Sequence, residues 1–171
     1  MPITIKARLI YDPSDVGVAT RKGQQPWWAA AMLPNNLTAF YRHLIFLQTG
    51  ETLTAPMWRS HVSTIRGEEP RNKVAWRKFH GREVTIQYFP ERAMQNDKYV
   101  WFAVESEELE EVRAELGLRR TPRTPFHLTI GNRKGNQPRK VTIPFRTFAW
   151  ENLRTVEESW RFGKKLVDIK K

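Results

Sequence analysis

Two short stretches of this chain, SHVSTI (residues 60–65) and FHLTIG (residues 126–131), are near-copies of one pattern. In each, a histidine is followed by an aliphatic residue, a hydroxyl residue and further apolar positions. The chain has four histidines, and two of them, His61 and His127, stand in these stretches. Apolar and more polar positions alternate through both, which predicts that each stretch is a β-strand.

The alternation also predicts which side chains share a face of each strand. Residues two apart point the same way along a strand, so His61 lies beside Ser63, and His127 lies beside Thr129. A β-bulge in the first stretch would bring Thr64 to the place of Ser63, and the sequence leaves both open as phosphate ligands. Each stretch is therefore expected to present an imidazole next to a hydroxyl group.

The same order of predicted elements leads up to each histidine. In the first motif unit, about residues 27–65, a strand and a capped helix precede His61; in the second, about 98–131, they precede His127. This order predicts a duplicated strand–helix–strand unit, with a pseudo-twofold arrangement that brings both histidines to one cleft. A chance coincidence of common elements is the alternative. Further strands are predicted at 3–12, 82–89 and 139–150, and a further helix at 68–81.

Strands and helices alternate with several hairpin-like neighbours, which favours the α+β class. The length of 171 residues suits a single domain, in which the two motif units form two lobes. Residues 1–26 are interpreted as an N-terminal extension, and about residues 151–171 as a basic C-terminal tail. No run of apolar residues is long enough for a signal peptide or a membrane span, so no membrane partner is expected.

The composition points to an anionic partner. Lysine and arginine number 29 against 18 acidic residues, so the net charge is +11. Nucleic acid is the commonest partner of such a chain, and a basic surface without a specific role is the alternative. The absence of cysteine fits a reducing compartment, the cytoplasm, and excludes thiolate metal sites. Neither motif offers a second metal-ligand position, so neither a metal nor a cofactor is expected.

A pair of imidazoles across a cleft suits general acid–base catalysis near neutral pH. One imidazole takes a proton from the attacking oxygen, and the other gives a proton to the leaving oxygen. The neighbouring hydroxyl groups can hold the non-bridging oxygens of a phosphate, where charge must be stabilised. The sequence lacks a GxSxG nucleophile elbow and a GxxxxGK[ST] phosphate loop, which argues against those two classes of enzyme.

The paired His-x-Ser/Thr motifs resemble those of the 2H phosphoesterase superfamily, from about residue 27 to residue 150. That superfamily includes RNA 2′,3′-cyclic phosphodiesterases, tRNA-splicing cyclic phosphodiesterases and phage enzymes that cut cyclic oligonucleotide signals. The resemblance assigns catalysis to His61 and His127, and phosphate binding to Ser63 (or Thr64) and Thr129. It implies a bilobal fold of two antiparallel sheets around a central cleft, and metal-independent phosphodiester chemistry.

Three functions remain open at this point. The first is a phosphodiesterase that acts on RNA ends or small nucleotides carrying a 2′,3′-cyclic phosphate or a 2′-linked phosphodiester. The second is a phage counter-defence enzyme that hydrolyses a cyclic oligonucleotide signal. The third is a basic RNA-binding module that has the same fold and no turnover.

Several aromatic and basic residues near the motifs are candidates for substrate binding. Tyr99 and one of the paired tryptophans, Trp28, can stack on a base, although core packing is the commoner role of tryptophan. Arginines in the loops beside the motifs can hold phosphates, and a solvated basic loop is the alternative. The arginines proposed as substrate contacts are Arg66, Arg123 and Arg133.

Overall fold

Strands dominate the computed structural model, which describes residues 2–13, 27–56 and 58–133 of the chain. Two α-helices and the 3₁₀ turn Lys73–Ala75 lie between the strands in these ranges. The α+β class predicted from the sequence is confirmed. In chain order the strands and α-helices are β1 (Ile3–Tyr11), β2 (Trp28–Met32), α1 (Asn35–Thr49), β3 (Leu53–Thr54), β4 (His61–Arg66), β5 (Glu83–Gln95), β6 (Tyr99–Glu105), α2 (Glu107–Glu115) and β7 (His127–Arg133).

Six of these strands close into an antiparallel barrel. The order around the ring is β7, β4, β2, β1, β5 and β6, and β6 pairs back with β7. The short β3 pairs with the far end of β7, on the edge that β7 shares with β4. Two separate sheets are not confirmed, because the β1–β5 and β4–β7 pairings join all the strands into one hydrogen-bonded system.

The described part of the chain runs twice through the same order of elements. β1, β2, α1 and β4 form the first run, with β3 inserted, and β5, β6, α2 and β7 form the second. In each run the three long strands pair in chain order, β1–β2–β4 and β5–β6–β7. Residues 3–11, which the sequence analysis assigned to an extension, thus contribute a strand to the barrel as β5 does. We call these two runs the first and second unit.

Local sequence explains where the two helices begin and end. Ser106 precedes α2, and its hydroxyl accepts a hydrogen bond from the backbone N–H of Leu109 at 3.3 Å. Glutamates lie in the first turn of α2, where their negative charge interacts favourably with the positive end of the helix dipole. α1 ends at Gly50, which has a φ of +70° that favours glycine. Both helices lie within the motif units in which a capped helix is predicted.

Apolar side chains of both units meet in a common core. Tyr41 of α1 packs edge-on against Phe102 of β6 with ring centroids 4.7 Å apart, and its hydroxyl lies 3.1 Å from that of Tyr88. Phe102 is fully buried, as are Val62 of β4 and Leu128 of β7. Truncation of such a side chain costs about 3–5 kcal/mol, so this core holds the two units together.

The prediction of a helix at 68–81 is wrong. In the structure this segment forms turns around the 3₁₀ turn Lys73–Ala75. Val74 is 96% exposed, whereas Trp76 packs edge-on against Tyr11 at 4.7 Å. Arg77 has a φ of +69°, which ends any right-handed helix. The apolar residues inside the predicted helix therefore have different surroundings.

β5 is longer than the strand predicted at 82–89 and passes through Pro90 to Gln95. Its pairing with β6 shifts between Phe89 and Ala93, because proline cannot donate to the ladder and is accommodated at an irregularity. The strand predicted at 139–150 and the tail predicted at 151–171 lie outside the described residues. Neither described helix is long and apolar enough to cross a membrane.

Candidate active site

The two motif strands, β4 and β7, are neighbours in the barrel and run antiparallel, with Val62 opposite Leu128. This register sets His61 opposite Thr129, and Ser63 opposite His127. All four side chains lie on the same face of the pair, because Val62 and Leu128 are fully buried on the other face. Two motifs far apart in the sequence thus form one group of two imidazoles and two hydroxyls, which we call the histidine face.

Both imidazoles are oriented by the same backbone hydrogen bond. Nδ1 of His61 lies 2.7 Å from the carbonyl oxygen of Arg59, and Nδ1 of His127 lies 2.9 Å from that of Pro125. Because a carbonyl oxygen only accepts, Nδ1 carries the proton and donates it in each case. In the neutral form, Nε2 of each ring is then left with a lone pair for a proton transfer.

The surroundings of His61 favour its neutral form. Burial lowers the pKa of the His61 imidazole, and the positive charges of Arg66 and of protonated His127 lower that pKa further. The hydrogen bond to the Arg59 carbonyl acts in the opposite direction. At neutral pH His61 is therefore an uncharged imidazole that can accept a proton.

A β-bulge follows the hydroxyl residue in both motif strands. Ser63 pairs with Ala30 and Ile65 with Ala29, so Thr64 is the extra residue in β4. Along β7 the pairing shifts at the equivalent place, between Thr129 and Gly131, so the extra residue there is Ile130. The two motifs thus share a backbone irregularity as well as a sequence pattern.

The bulge separates the two candidate phosphate ligands of the first motif. Thr64 is only 1% exposed, and its hydroxyl has no hydrogen-bond partner among the described residues. It occupies the position of the buried Ile130 in the second motif. Ser63 is half-buried and sits on the histidine face, where it is the equivalent of Thr129. The geometry therefore favours Ser63 over Thr64 for contact with a ligand at the imidazoles.

An aromatic wall stands behind His61. The Trp28 ring lies edge-on to His61 with centroids 6.1 Å apart, and edge-on to Trp58 at 4.7 Å. The Arg66 guanidinium carbon is 5.7 Å from the centre of the Trp28 ring. Trp28 is 7% exposed, so its ring packs against protein and offers little area to a base. Sequence reasoning missed Trp58. The only signal for it was its place, as an aromatic residue shortly before the first motif.

Tyr99 lies at the equivalent place in the second unit. Trp28 pairs with Arg66 and Tyr99 pairs with Asn132, each partner being the third residue after its motif hydroxyl. In contrast to Trp28, Tyr99 is 44% exposed. Its strand also carries Trp101, which is half-buried and pairs with Thr129. Of the two aromatic residues proposed from the sequence, Tyr99 alone has a surface open to a ligand.

The three proposed arginine contacts have different surroundings. Arg133 is engaged in the fold: its guanidinium pairs with Glu51 at 2.7 Å, and both side chains are less than a tenth exposed. It also donates to the backbone carbonyl of Asn96. Arg66 lies exposed at the edge of the histidine face, over Trp28. Arg123 is exposed in the loop that leads to β7. The assignment of Arg133 to the substrate is thus in conflict with its ion pair.

No group of three or more His, Cys, Asp or Glu side chains within the described ranges could hold a metal ion. His43 lies on α1, and Nδ1 of His80 accepts a hydrogen bond from the backbone N–H of Tyr11 at 3.3 Å. These two histidines lie outside β4 and β7.

The chain matches no family model, no curated protein and no solved structure. The geometry of the histidine face and its surroundings therefore carries the functional argument. Its central facts are the register of β4 against β7 and the equivalent hydrogen bonds of the two imidazoles.

Proposed function

We propose that this protein is a metal-independent phosphodiesterase that uses His61 and His127 as acid and base. Its substrates are RNA ends or small nucleotides with a 2′,3′-cyclic phosphate or a 2′-linked phosphodiester. The observation that carries the proposal is the β4–β7 register, which puts two imidazoles and two hydroxyls on one face. In this proposal, the first and second units take the place of the two lobes that the 2H phosphoesterase resemblance implies, and the substrate binds at the histidine face.

In the proposed reaction, Nε2 of His61 accepts a proton from the attacking water. The water oxygen forms a bond to phosphorus, and the bond from phosphorus to the leaving ribose oxygen breaks. Protonated His127 gives its proton to that oxygen, so one proton enters and one leaves the pair of histidines. His61 is assigned as the base because burial and the nearby positive charge of Arg66 favour its neutral form. Both transfers are performed by imidazoles, so the chemistry needs no metal.

Ser63 and Thr129 act on the phosphate itself. Each hydroxyl lies across the strand pair from the imidazole of the other motif, within the same patch. They donate hydrogen bonds to the non-bridging oxygens, where negative charge increases as the new bond forms. The positive charge of the whole chain attracts the anionic substrate, and the exposed Arg66 lies at the edge of the site. Tyr99 offers a ring for a base.

Hydrolysis of 2′,3′-cyclic nucleotides in the presence of EDTA tests this function. We expect product to accumulate at an unchanged rate in the chelator, and each of His61→Ala and His127→Ala to abolish it. His43→Gln, which alters a histidine on α1, is the matched control and retains activity. Loss of activity with EDTA, or survival of activity in both motif variants, would overturn the proposal.

The same assay separates the other two functions considered above. Linear RNA with 2′,3′-cyclic ends is run beside cyclic dinucleotides and trinucleotides. Turnover restricted to the cyclic oligonucleotides assigns the same chemistry to a signalling molecule. Tight RNA binding with no product, unaffected by either histidine variant, identifies a binding module and refutes catalysis.

A further inference from the structure

One arginine from each helix donates a hydrogen bond to the motif strand of the other unit. Arg113 of α2 donates from Nη1 to the backbone carbonyl of Thr64 in β4, at 2.8 Å. Arg42 of α1 donates from Nη1 to the backbone carbonyl of Ile130 in β7, at 2.9 Å. Both acceptors are the extra residues of the two bulges. The exchange matches the packing, because α1 lies against β7, and α2 contacts β4.

A bulge creates a need for such a donor. The extra residue is left out of the regular ladder, so its backbone carbonyl has to find another partner when it is buried. Thr64 and Ile130 are both buried. A guanidinium satisfies them with a charge-assisted hydrogen bond, which is about twice as strong as a neutral one.

We propose that Arg42 and Arg113 are positioning residues of the histidine face, each holding the bulge that orients the imidazole and hydroxyl of the opposite unit. The bulge comes directly after Ser63 in one motif and directly after Thr129 in the other. A change in bulge geometry rotates the strand just there and displaces the side chains that precede it. The kinetic consequences of this inference rest on the proposed function, whereas its structural consequences do not.

The surroundings of both arginines support a positioning role. Arg113 has no exposed surface, and its guanidinium forms a bidentate pair with Glu68, both bonds being 2.8 Å long. Its Nε also donates to the carbonyl of Arg119 at 2.7 Å, so the group is fixed from three sides. Arg42 reaches its bulge past Gly131, where an added Cβ would lie only 3.1 Å from Cδ of Arg42.

The crossed connection allows a test that a merely structural role would not pass. Arg113→Lys and Arg42→Lys keep the charge but lose the fork that reaches the carbonyl. Arg92→Lys is the control, since Arg92 forms an exposed pair with Glu105 at 3.2 Å. The ¹⁵N chemical shifts of the imidazoles are recorded in the ligand-free protein at one pH. kcat and KM are then measured on a 2′,3′-cyclic nucleotide.

We expect Arg113→Lys to shift the His61 signals more than those of His127, and Arg42→Lys to do the reverse. In both variants kcat falls about 10- to 100-fold with KM nearly unchanged, because misplaced groups lose transition-state contacts. Should Arg113→Lys fail to fold, the test rests on Arg42→Lys, since Arg42 is only half-buried. The change in the ¹⁵N shifts of His127 in that variant is then the deciding measurement.

Imidazole shifts that are no larger than in Arg92→Lys, or that fall mainly in the unit carrying the substitution, would overturn the positioning role. A crossed pattern of shifts in a protein that hydrolyses none of the nucleotides leaves the positioning role intact and refutes the proposed function. The two hypotheses therefore fail in different ways.

Discussion

The two motif strands have the same backbone and different surroundings. Each carries a histidine bound to the carbonyl two residues earlier, a hydroxyl residue and then a bulge. Beside His61 lies the Trp28 ring, which in turn packs edge-on against Trp58. The second unit has the exposed Tyr99 where the first has the buried Trp28. Equal backbone geometry with unequal surroundings is how a duplicated site can assign different proton-transfer roles to two identical side chains.

The largest expected effect tests whether the two imidazoles act as one unit. His61→Gln and His127→Gln should each lower kcat about 10²- to 10⁴-fold, since each removes one proton transfer. The double variant should lose little more than either single variant, because one histidine without the other is of little use. Rates on a 2′,3′-cyclic nucleotide measure this. Losses that multiply in the double variant would show that the histidines work independently.

The next effect separates Ser63 from Thr64. Ser63→Ala should lower kcat about 10²- to 10³-fold, as the loss of a hydrogen-bond donor to a developing charge does. Thr64→Val should leave kcat unchanged and raise the free energy of unfolding by about 1 kcal/mol, because it removes a buried hydroxyl with no partner in the described structure. Kinetics and urea unfolding of both variants provide the comparison. A large kcat loss in Thr64→Val, with Ser63→Ala active, would reverse the assignment.

The bulges differ in the residue that follows them, Ile65 in the first unit and Gly131 in the second. A Cβ on Gly131 would lie 2.8 Å from the Cβ of Leu53 and 3.0 Å from the backbone oxygen of Thr54. Gly131→Ala should therefore lower the free energy of unfolding by about 1–3 kcal/mol through overpacking. Urea denaturation measures it, with Gly81→Ala as the control. Gly81 has open space around it but a φ of +82°, so its substitution reports backbone strain alone. A cost no greater than that control would contradict the packing argument.

The smallest effect concerns the pKa of His61. Trp58→Ala should raise this pKa toward the usual value of 6.5, because loss of the Trp58 ring lets water reach Trp28, which lies edge-on to His61. Tyr99→Ala, on the exposed side, should leave it unchanged. NMR titration of the imidazole measures both variants. A pKa that stays the same or falls in Trp58→Ala would show that burial by the aromatic wall is not the cause.

The lowered pKa of His61 also has a consequence for stability. The unfolded chain takes up a proton on this residue near pH 6.5, whereas the folded protein does so only at lower pH. The unfolded state therefore binds more protons below pH 6.5, and the contribution of His61 to stability is lost as the pH falls through that window. Glu68 acts in the same direction at lower pH, because its hydrogen bonds to Arg113 lower the pKa of its carboxyl group.

Local signals in the sequence were sufficient for much of the fold. The spacing of apolar residues predicted α1, and the capping serine with its following glutamates predicted α2. Alternation predicted β1 and the strands of both motifs, and a short apolar run predicted β2. The same reasoning failed at 68–81, because the apolar residues there do not share one buried face: Val74 is exposed, whereas Trp76 packs against Tyr11. It also gave no sign of the ion pair between Arg133 and Glu51, because these two residues are distant in sequence.

The sequence by itself determined the content of the candidate site: two histidines, two hydroxyl residues and the strand alternation that pairs them. Only the tertiary structure decided that β4 and β7 are neighbours with Val62 opposite Leu128, since register between distant strands depends on long-range packing. The choice between Ser63 and Thr64, the burial of Trp28 and the crossed arginines followed from the same cause. Each depends on which backbone groups and side chains meet when the ring of strands closes, and no local pattern of residues encodes that meeting.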